Sequence, residues 1–567
     1  MSPKESRSNL GDSSRRSTLA VTRRSALGLG VGAAAAVLVG GCSDKTRTAA
    51  TGGRLSKVPS HLAPPAVEGA IVSAVTGVPP GYVSLPHKLF RTTDAPFHGS
   101  RPVSSLSIAW GNPPNKLAKN AYWQELNAAL GTAYNGIFVP FDAYDAKVAT
   151  TLAGGDLPDV MELIPSATSD KAIQQGAFAD LTDVLVGDGI KKYPNLRRIR
   201  PDQWQNSAVN GRIYGIPIDL PLFDMQWSYR SDWATKLGYP DPPKSPDDFL
   251  TVMSAISKGK PTGKQTYGIG GYGGSYGSSF SIFINAMFRV PNEWRLESDG
   301  SLTNAIDTDE YEQAVAFTVK LWKSGAFHPD AIALGDQGAK TLTMFTDNQV
   351  GLIKTGIAGA MTPPYVEMFA RSDVRPLVPP GADGKGFAVP RTSGWYGRSV
   401  IPAKVGKDDK RLHEILQFID FLAAPFGSRE LATYMWGKEG VTYDLKNNFP
   451  LVRATGEIAN DVVGFGGISE PFFYQSPGGR PAIERGVSYC EAMVKSSVAN
   501  PVANIQSPTQ TRMSTQLTNL QADYINQIVI GRRPMSDLAK YRGEWHRRGG
   551  GQIISELRRG LDKSKGH

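Results

Sequence analysis

Between residues 104 and 164 the hydrophobic period switches repeatedly between that of a strand and that of a helix, which restricts the fold more than any other feature. SLSIAWG (105–111) reads as a buried strand. Tyr122, Leu126, Ala129 and Leu130 then share one helical face, with Gly131 as the stop. Gly136–Pro140 is a second strand, a helix runs through Val148 and Leu152 into AGGDLPD, and DVMELI is a third strand. Strands joined through helices pair in parallel, because each connection must cross from one end of the sheet to the other. The fold class is therefore α/β.

The pattern recurs further on, and 567 residues exceed what a single core supports. GRIYGIPI (211–218) reads as a strand or hairpin, and QWSYRSDWATKLG (226–238) as a strand and a short helix closed by Gly238. Ser245-Pro246-Asp247-Asp248 is a helix start, with Ser as N-cap and Pro in the first turn. Thr308 opens another helix, with Tyr311, Ala314, Val315, Thr318 and Trp322 on one face. A further helix carries Leu412, Ile415, Leu416 and Ile419. The last hundred residues are mostly helical, so helices are added to the α/β core near the C-terminus.

Residues 1–41 read as an address. Arg23-Arg24 precede sixteen residues, Ala26–Gly41, composed of Ala, Gly, Val and Leu. A bilayer span needs about twenty apolar residues. The stretch fits the h-region of an export signal and resembles the twin-arginine type. Val39-Gly40-Gly41-Cys42 resembles a lipobox, which would make Cys42 the lipidated first residue of the mature chain. Export would place the protein on the outer face of the cytoplasmic membrane, anchored by lipid. Residues 42–100 read as a tether followed by an extension, IVSAVTGVPPGYVSLPHKLF (71–90), apolar enough to lie against the protein.

Charge and cysteine content exclude several classes. The net charge is +10, and residues 1–41 hold six Lys/Arg against two Asp/Glu, leaving +6 beyond them. The surplus is partly C-terminal (Arg532, Arg533, Arg542, Arg547, Arg548, Arg558, Arg559) and lacks interleaved aromatics, so no nucleic-acid partner is expected. Two cysteines rule out a disulfide framework, and Cys490 is expected as a small buried hydrophobe. No two histidines sit at metal-ligand spacing, so neither metal nor cofactor is expected.

Two catalytic patterns overlap in one glycine-rich loop. Gly268–Gly273 matches GxGxxG, and Gly273-Gly274-Ser275-Tyr276-Gly277 matches GxSxG. The first lacks a strong preceding strand, and the second lacks a local base, with only the distant Asp330 and His413 available. Both arise readily in a glycine-rich run, which reads better as a surface or ligand-facing loop. A carboxylate pair drawn from Asp219, Asp224 and Asp232 is a further option for glycoside hydrolysis. The expectation is a binding protein rather than an enzyme; an exported hydrolase of glycans or esters and a peptide-binding surface lipoprotein are the alternatives.

Aromatic residues with polar neighbours recur in turn contexts. Sugars offer an apolar C–H face for stacking and edge hydroxyls for planar polar groups, so such clusters suit a saccharide cleft. The candidate ligand-binding residues are Trp110, Asp219, Trp227, Tyr272, Tyr276, Trp395, Tyr396, Trp436 and Glu439. The rings would stack, and the acids would accept from hydroxyls. Trp322 and Trp545 lie on helical apolar stripes and are expected in the core.

The order of several segments adds a resemblance. SLSIAWG, TLAGGDLPDVMEL, GAFADLTDVL, GRIYGIPI, SYRSDWATKLG with SPDDFLTVMSAI, QVGLIKTG, VIPAKVGKDDKRLHEILQFIDFLAAPFG, WGKEGVTYDL and IVIGRRPMSDLAKYRGEWHRRGGGQII span 104–554. In this order they resemble the extracellular solute-binding lipoproteins of bacterial ABC importers, in the large oligosaccharide-binding group of family 1. The resemblance implies a periplasmic-binding-protein-like fold of two α/β lobes with a hinge crossed more than once. It also implies a saccharide held between the lobes, delivery to a membrane permease, and a monomer. By this resemblance the first lobe is 101–222 plus 376–432, and the second 223–375 plus 433–567. Some large members carry an acidic calcium loop after the SPDDF-type helix. Here that place reads Ser257-Lys258-Gly259-Lys260-Pro261-Thr262-Gly263-Lys264-Gln265, whose lysines do not suit calcium.

Overall fold

The protein is described by a computed structural model covering residues 54–93, 101–109, 113–275, 278–335, 338–357, 368, 371–453, 461, 472–476, 478–503, 505 and 507–564. Residues from 50 onward form one compact unit. The export segment and Cys42 lie outside the described residues.

The first elements are β1 (Val103–Ala109), α1 (Ala121–Leu130), β2 (Tyr134–Pro140), α2 (Phe141–Gly154), β3 (Val160–Leu163) and α3 (Ala167–Gln174). They match the alternation read in the sequence. The Asn120 side chain caps α1 at Trp123 N, and Gly131 ends the helix in the left-handed region at φ 65. After α4 (Pro201–Ser207) and β4 (Ile216–Asp219) the chain enters β5 (Gln226–Arg230). Next come α5 (Pro246–Gly259), β6 (Tyr267–Ile269), α6 (Ser279–Met287), α7 (Asp309–Lys323), β7 (Val350–Thr355) and β8 (Val374–Pro376). Ser245 and Thr308 cap α5 and α7 through their hydroxyls, as expected. The chain continues with β9 (Trp395–Val400), α8 (Asp409–Leu422), α9 (Arg429–Trp436) and α10 (Gly479–Lys495). It ends in α11 (Pro508–Val529), α12 (Asp537–Trp545) and α13 (Gly551–Ser564).

Two sheets organise two lobes. The first has five strands in the order β2-β1-β3-β9-β4. β1 is parallel to β2 and β3, whereas β9 inserts antiparallel between β3 and β4. One face packs Leu106, Ile108, Met161, Leu163 and Val400 with Tyr144 and Val148 of α2. The other packs Val103, Val160 and Ile216 with Leu412, Ile415 and Ile419 of α8. The second sheet runs β8-β5-β7-β6, with β6 parallel to β7 and β5 antiparallel to both its neighbours. Its core gathers Trp227 and Tyr229 with Phe249 and Met253 of α5, Ile483 and Met493 of α10, and Tyr541 and Trp545 of α12. The C-terminal helices thus complete the second lobe.

Packing shifts the lobe boundaries expected from sequence. Tyr434, Trp436, Tyr443 and Phe473 belong to the first-lobe core, so that lobe extends well past 432. Leu377 and Val389 pack in the second-lobe core, so the return to the first lobe falls near Trp395 rather than 376. Beyond residue 93, the described chain changes lobe along 220–225, along 390–395 and between Phe473 and Tyr474. Cys490 is a buried thiol in the second core, and burial pushes it up to about 12.

Candidate functional site

The parallel strands of the first sheet end together at Ala109, Leu163 and Asp219, and antiparallel β9 starts at that edge, with Trp395 opposite Asp219. In the second sheet β6 ends at Ile269 and β7 at Thr355, where β5 begins with Gln226 opposite Thr355. Six residues, 220–225, join Asp219 to Gln226. Both sheets therefore turn their carboxyl edges towards the lobe crossings. In open α/β sheets that is the edge outside which ligands bind.

Asp219 is the best-connected group at this edge. Its Oδ1 accepts from Arg200 Nη1 at 3.2 Å and from Gln203 Nε2, while Oδ2 accepts from Phe472 N at 3.1 Å. Gln203 also donates to Gly394 O at 2.6 Å, just before Trp395. One carboxylate thus ties β4 to α4 and to the last crossing. The Trp395 ring lies under the Arg398 guanidinium at 4.3 Å and is 8% exposed; its Nε1 has no hydrogen-bond partner among the described residues. Arg398 Nε donates to Ser207 O at 2.8 Å, and its buried Nη1 has no partner among the described residues. Burial lowers Arg398 to about 10, against the opposing pull of Asp170. On the next strand, Glu162 is 1% exposed; Oε2 accepts from Ile108 N at 2.9 Å, and Oε1 has no partner among the described residues. Burial pushes this carboxyl up to about 8.

On the second-lobe side, Asp224 accepts from Ile357 N at 3.3 Å, and burial holds it at about 6. Tyr474 donates to Gln226 Oε1 at 3.0 Å, and Tyr489 of α10 donates to Met225 O at 3.0 Å. The first and last crossings are thereby bonded to each other.

Of the residues singled out from sequence, the structure brings Asp219, Trp395 and the half-buried Tyr396 together at this edge. Three others pack in the cores. Trp227 is fully buried between Phe223 and Phe283, at 5.6 and 5.0 Å between ring centres, and offers no free face. Tyr272 stands edge-on to Phe327 in the second core, where burial pushes it up to about 12. Trp436 packs against Phe426 and Tyr443 in the first core. Glu439 is exposed in the turn after α9. Trp110 and Tyr276 lie outside the described residues. Sequence reasoning missed Arg200, Gln203, Glu162 and Arg398. A charge inside the strand runs VMEL and WYGRSV was the available signal for the last two.

The pairing of Ser275 with His413 loses its geometry. Ser275 belongs to the second-lobe loop after β6, whereas His413 lies on first-lobe α8, bonded to the Tyr193 hydroxyl. Asp232 is committed to Arg230 at 2.6 Å. Asp219 is committed to three protein donors.

The fold defines the class, a two-lobe α/β protein whose chain crosses repeatedly between its lobes. The model of the bacterial extracellular solute-binding protein family matches residues 114–426, and the chain belongs to that family. Lipoprotein LipO of Bacillus subtilis (strain 168) is 25% identical over 486 residues, covering 82% of this chain and 94% of LipO. The polygalacturonan/rhamnogalacturonan-binding protein YtcQ of the same organism is 24% identical over 481 residues, covering 82% and 93%. The ABC-transporter substrate-binding protein FusA of S. pneumoniae, solved with kestose, superposes with a TM-score of 0.59 at 18% identity. That match covers 82% of this chain and 100% of FusA, and shows the shared fold.

Proposed function

We propose that this protein is the substrate-binding lipoprotein of an ABC importer and captures an oligosaccharide between its lobes for delivery to a membrane permease. The observation that carries this reading is the convergence of both carboxyl sheet edges on the crossings, with Trp395 and Asp219 side by side there. Ligand touching both edges favours the arrangement in which they face each other, and does so by its differential affinity for that arrangement. The carbohydrate class draws support from the sugar polymers and sugar named for YtcQ and FusA, and from the indole at the edge. A twin-arginine signal exports the chain, Cys42 carries the lipid that holds it at the outer face of the cytoplasmic membrane, and the protein works as a monomer without turnover. Calorimetry on residues 50–567 tests the central claim, using galacturonan and fructan oligomers beside a peptide panel. Micromolar sugar binding with unaltered sugar is expected; peptide binding with no sugar binding would refute it.

A further inference from the structure

Residues 54–93 do not trail from the protein. They lie on the first lobe, cross to the second, and return. Leu55 is buried in the first core, Ser60 N donates to Gly187 O at 3.0 Å, and Leu62 N donates to Arg197 O at 2.8 Å. Ala70 still packs against the first core, but Ile71, Val75 and Val78 pack against the second. There Arg480 of α10 donates to Gly69 O at 3.1 Å, and Ser73 donates to Glu491. Pro80 O then accepts from Tyr474 N at 2.8 Å, and Tyr82 N donates to Tyr474 O at 2.9 Å, directly on the last crossing. Tyr82 stacks on Phe426 of the first lobe with ring centres 3.9 Å apart. Phe90 N donates to Gly427 O at 3.2 Å, and Thr92 N and Thr93 N donate to Glu430 at 3.1 Å each.

We propose that residues 54–93 are a strap that restrains the relative motion of the two lobes. The chain has almost no slack at either transfer. Ala70 and Ile71 are consecutive yet belong to different cores, and on the way back Tyr82 packs in the first core, Val83 against the second and Leu85 in the first again. One residue spans at most ~3.6 Å of extended chain. A lobe rotation that separates those anchors by more than a few ångströms must strip 71–78 from α10 or break the pair of hydrogen bonds to Tyr474. Gly81 shows how closely the strap is seated: a Cβ there would lie 2.5 Å from Ile483 Cγ2 and 2.8 Å from Val487 Cγ2. The strap biases the equilibrium between interlobe arrangements and so sets part of the free energy a ligand must supply to change it.

The test needs no ligand, so its failure is distinguishable from failure of the sugar reading. Residues 50–567 carry spin labels at Lys147→Cys on α2 and Lys323→Cys on α7, both exposed, while Cys490 is buried. Double electron–electron resonance then compares the interlobe distance distribution with and without Ile71→Ser, Val75→Ser and Val78→Ser. The expected result is a broader distribution in the triple variant; an unchanged distribution in the folded variant would overturn the proposal. Should circular dichroism show that the variant does not fold, hydrogen exchange on the unmodified chain decides. The amides of Ile71, Gly81 and Tyr82 should be protected as well as that of Tyr474, and rapid exchange of the first three would overturn the strap.

Discussion

Glu162→Gln separates the cost of a buried charge from the contribution of the hydrogen bond beside it. Glu162 sits in β3 at 1% exposure, receives one backbone donor, and is held at about 8 instead of 4.5 because burial disfavours its ionised form. That difference makes ionisation in the folded state about 5 kcal/mol more costly than in the unfolded chain. The native state binds the extra proton between these two values, so stability falls as pH rises from 4.5 towards 8 and the full penalty is present above 8. Glutamine keeps an acceptor for Ile108 N and cannot ionise. Urea denaturation of residues 50–567 at pH 5, 7 and 9 reads the difference. The variant should match the parent at pH 5 to within about 1 kcal/mol. It should exceed the parent at pH 9 by several kcal/mol, on the order of the 5 derived above. Asp224 and Asp420, held near 6 and 7 by burial, titrate in both proteins and cancel in the comparison. A difference that stays constant with pH would refute the reasoning.

Trp395→Ala should weaken saccharide binding about tenfold in calorimetry, through loss of a stacking face. Its stability in urea should fall by about 3–5 kcal/mol, because the indole is 8% exposed and its removal leaves a cavity beside Arg398. Gly486→Ala should destabilise by about 1–3 kcal/mol in urea, since the added Cβ would lie 2.0 Å from the Tyr474 ring at the last crossing. Cys42→Ser should move the exported protein from the membrane fraction into the medium on fractionation. Lys replacement of both Arg23 and Arg24 should leave the precursor uncleaved in the cytoplasm.

The first α/β block was legible because its information is local. Helix period, the Gly131 stop and the Ser245 and Thr308 caps all act within a few residues. Lobe membership was not. Whether 433–452 joins the first or second core depends on contacts such as Trp436 with Phe426, which no period records. The same limit governed the aromatics. Trp227 and Trp395 both lie among polar residues at a strand start, yet every residue of β5 is buried, so alternation carries no sign of which face meets ligand. What distinguishes Trp395 is position: it opens a strand at the carboxyl edge, and its pairing with β4 shifts register immediately after it. That irregularity is set by the partner strand and cannot be read from β9 alone.

Arg398 and Glu162 carry the argument one step further. They occupy adjacent strands, with Ser399 opposite Glu162 and Arg398 opposite Leu163, so alternation sends the two charges to opposite faces of the sheet. They therefore do not neutralise each other, and each keeps a buried polar atom without a partner among the described residues. Burial opposes charge at both, pushing Glu162 up to about 8 and Arg398 down to about 10, with Asp170 partly offsetting the second. Arg398 lies against Trp395 at the edge where this sheet meets the crossings, which accords with the binding reading proposed above.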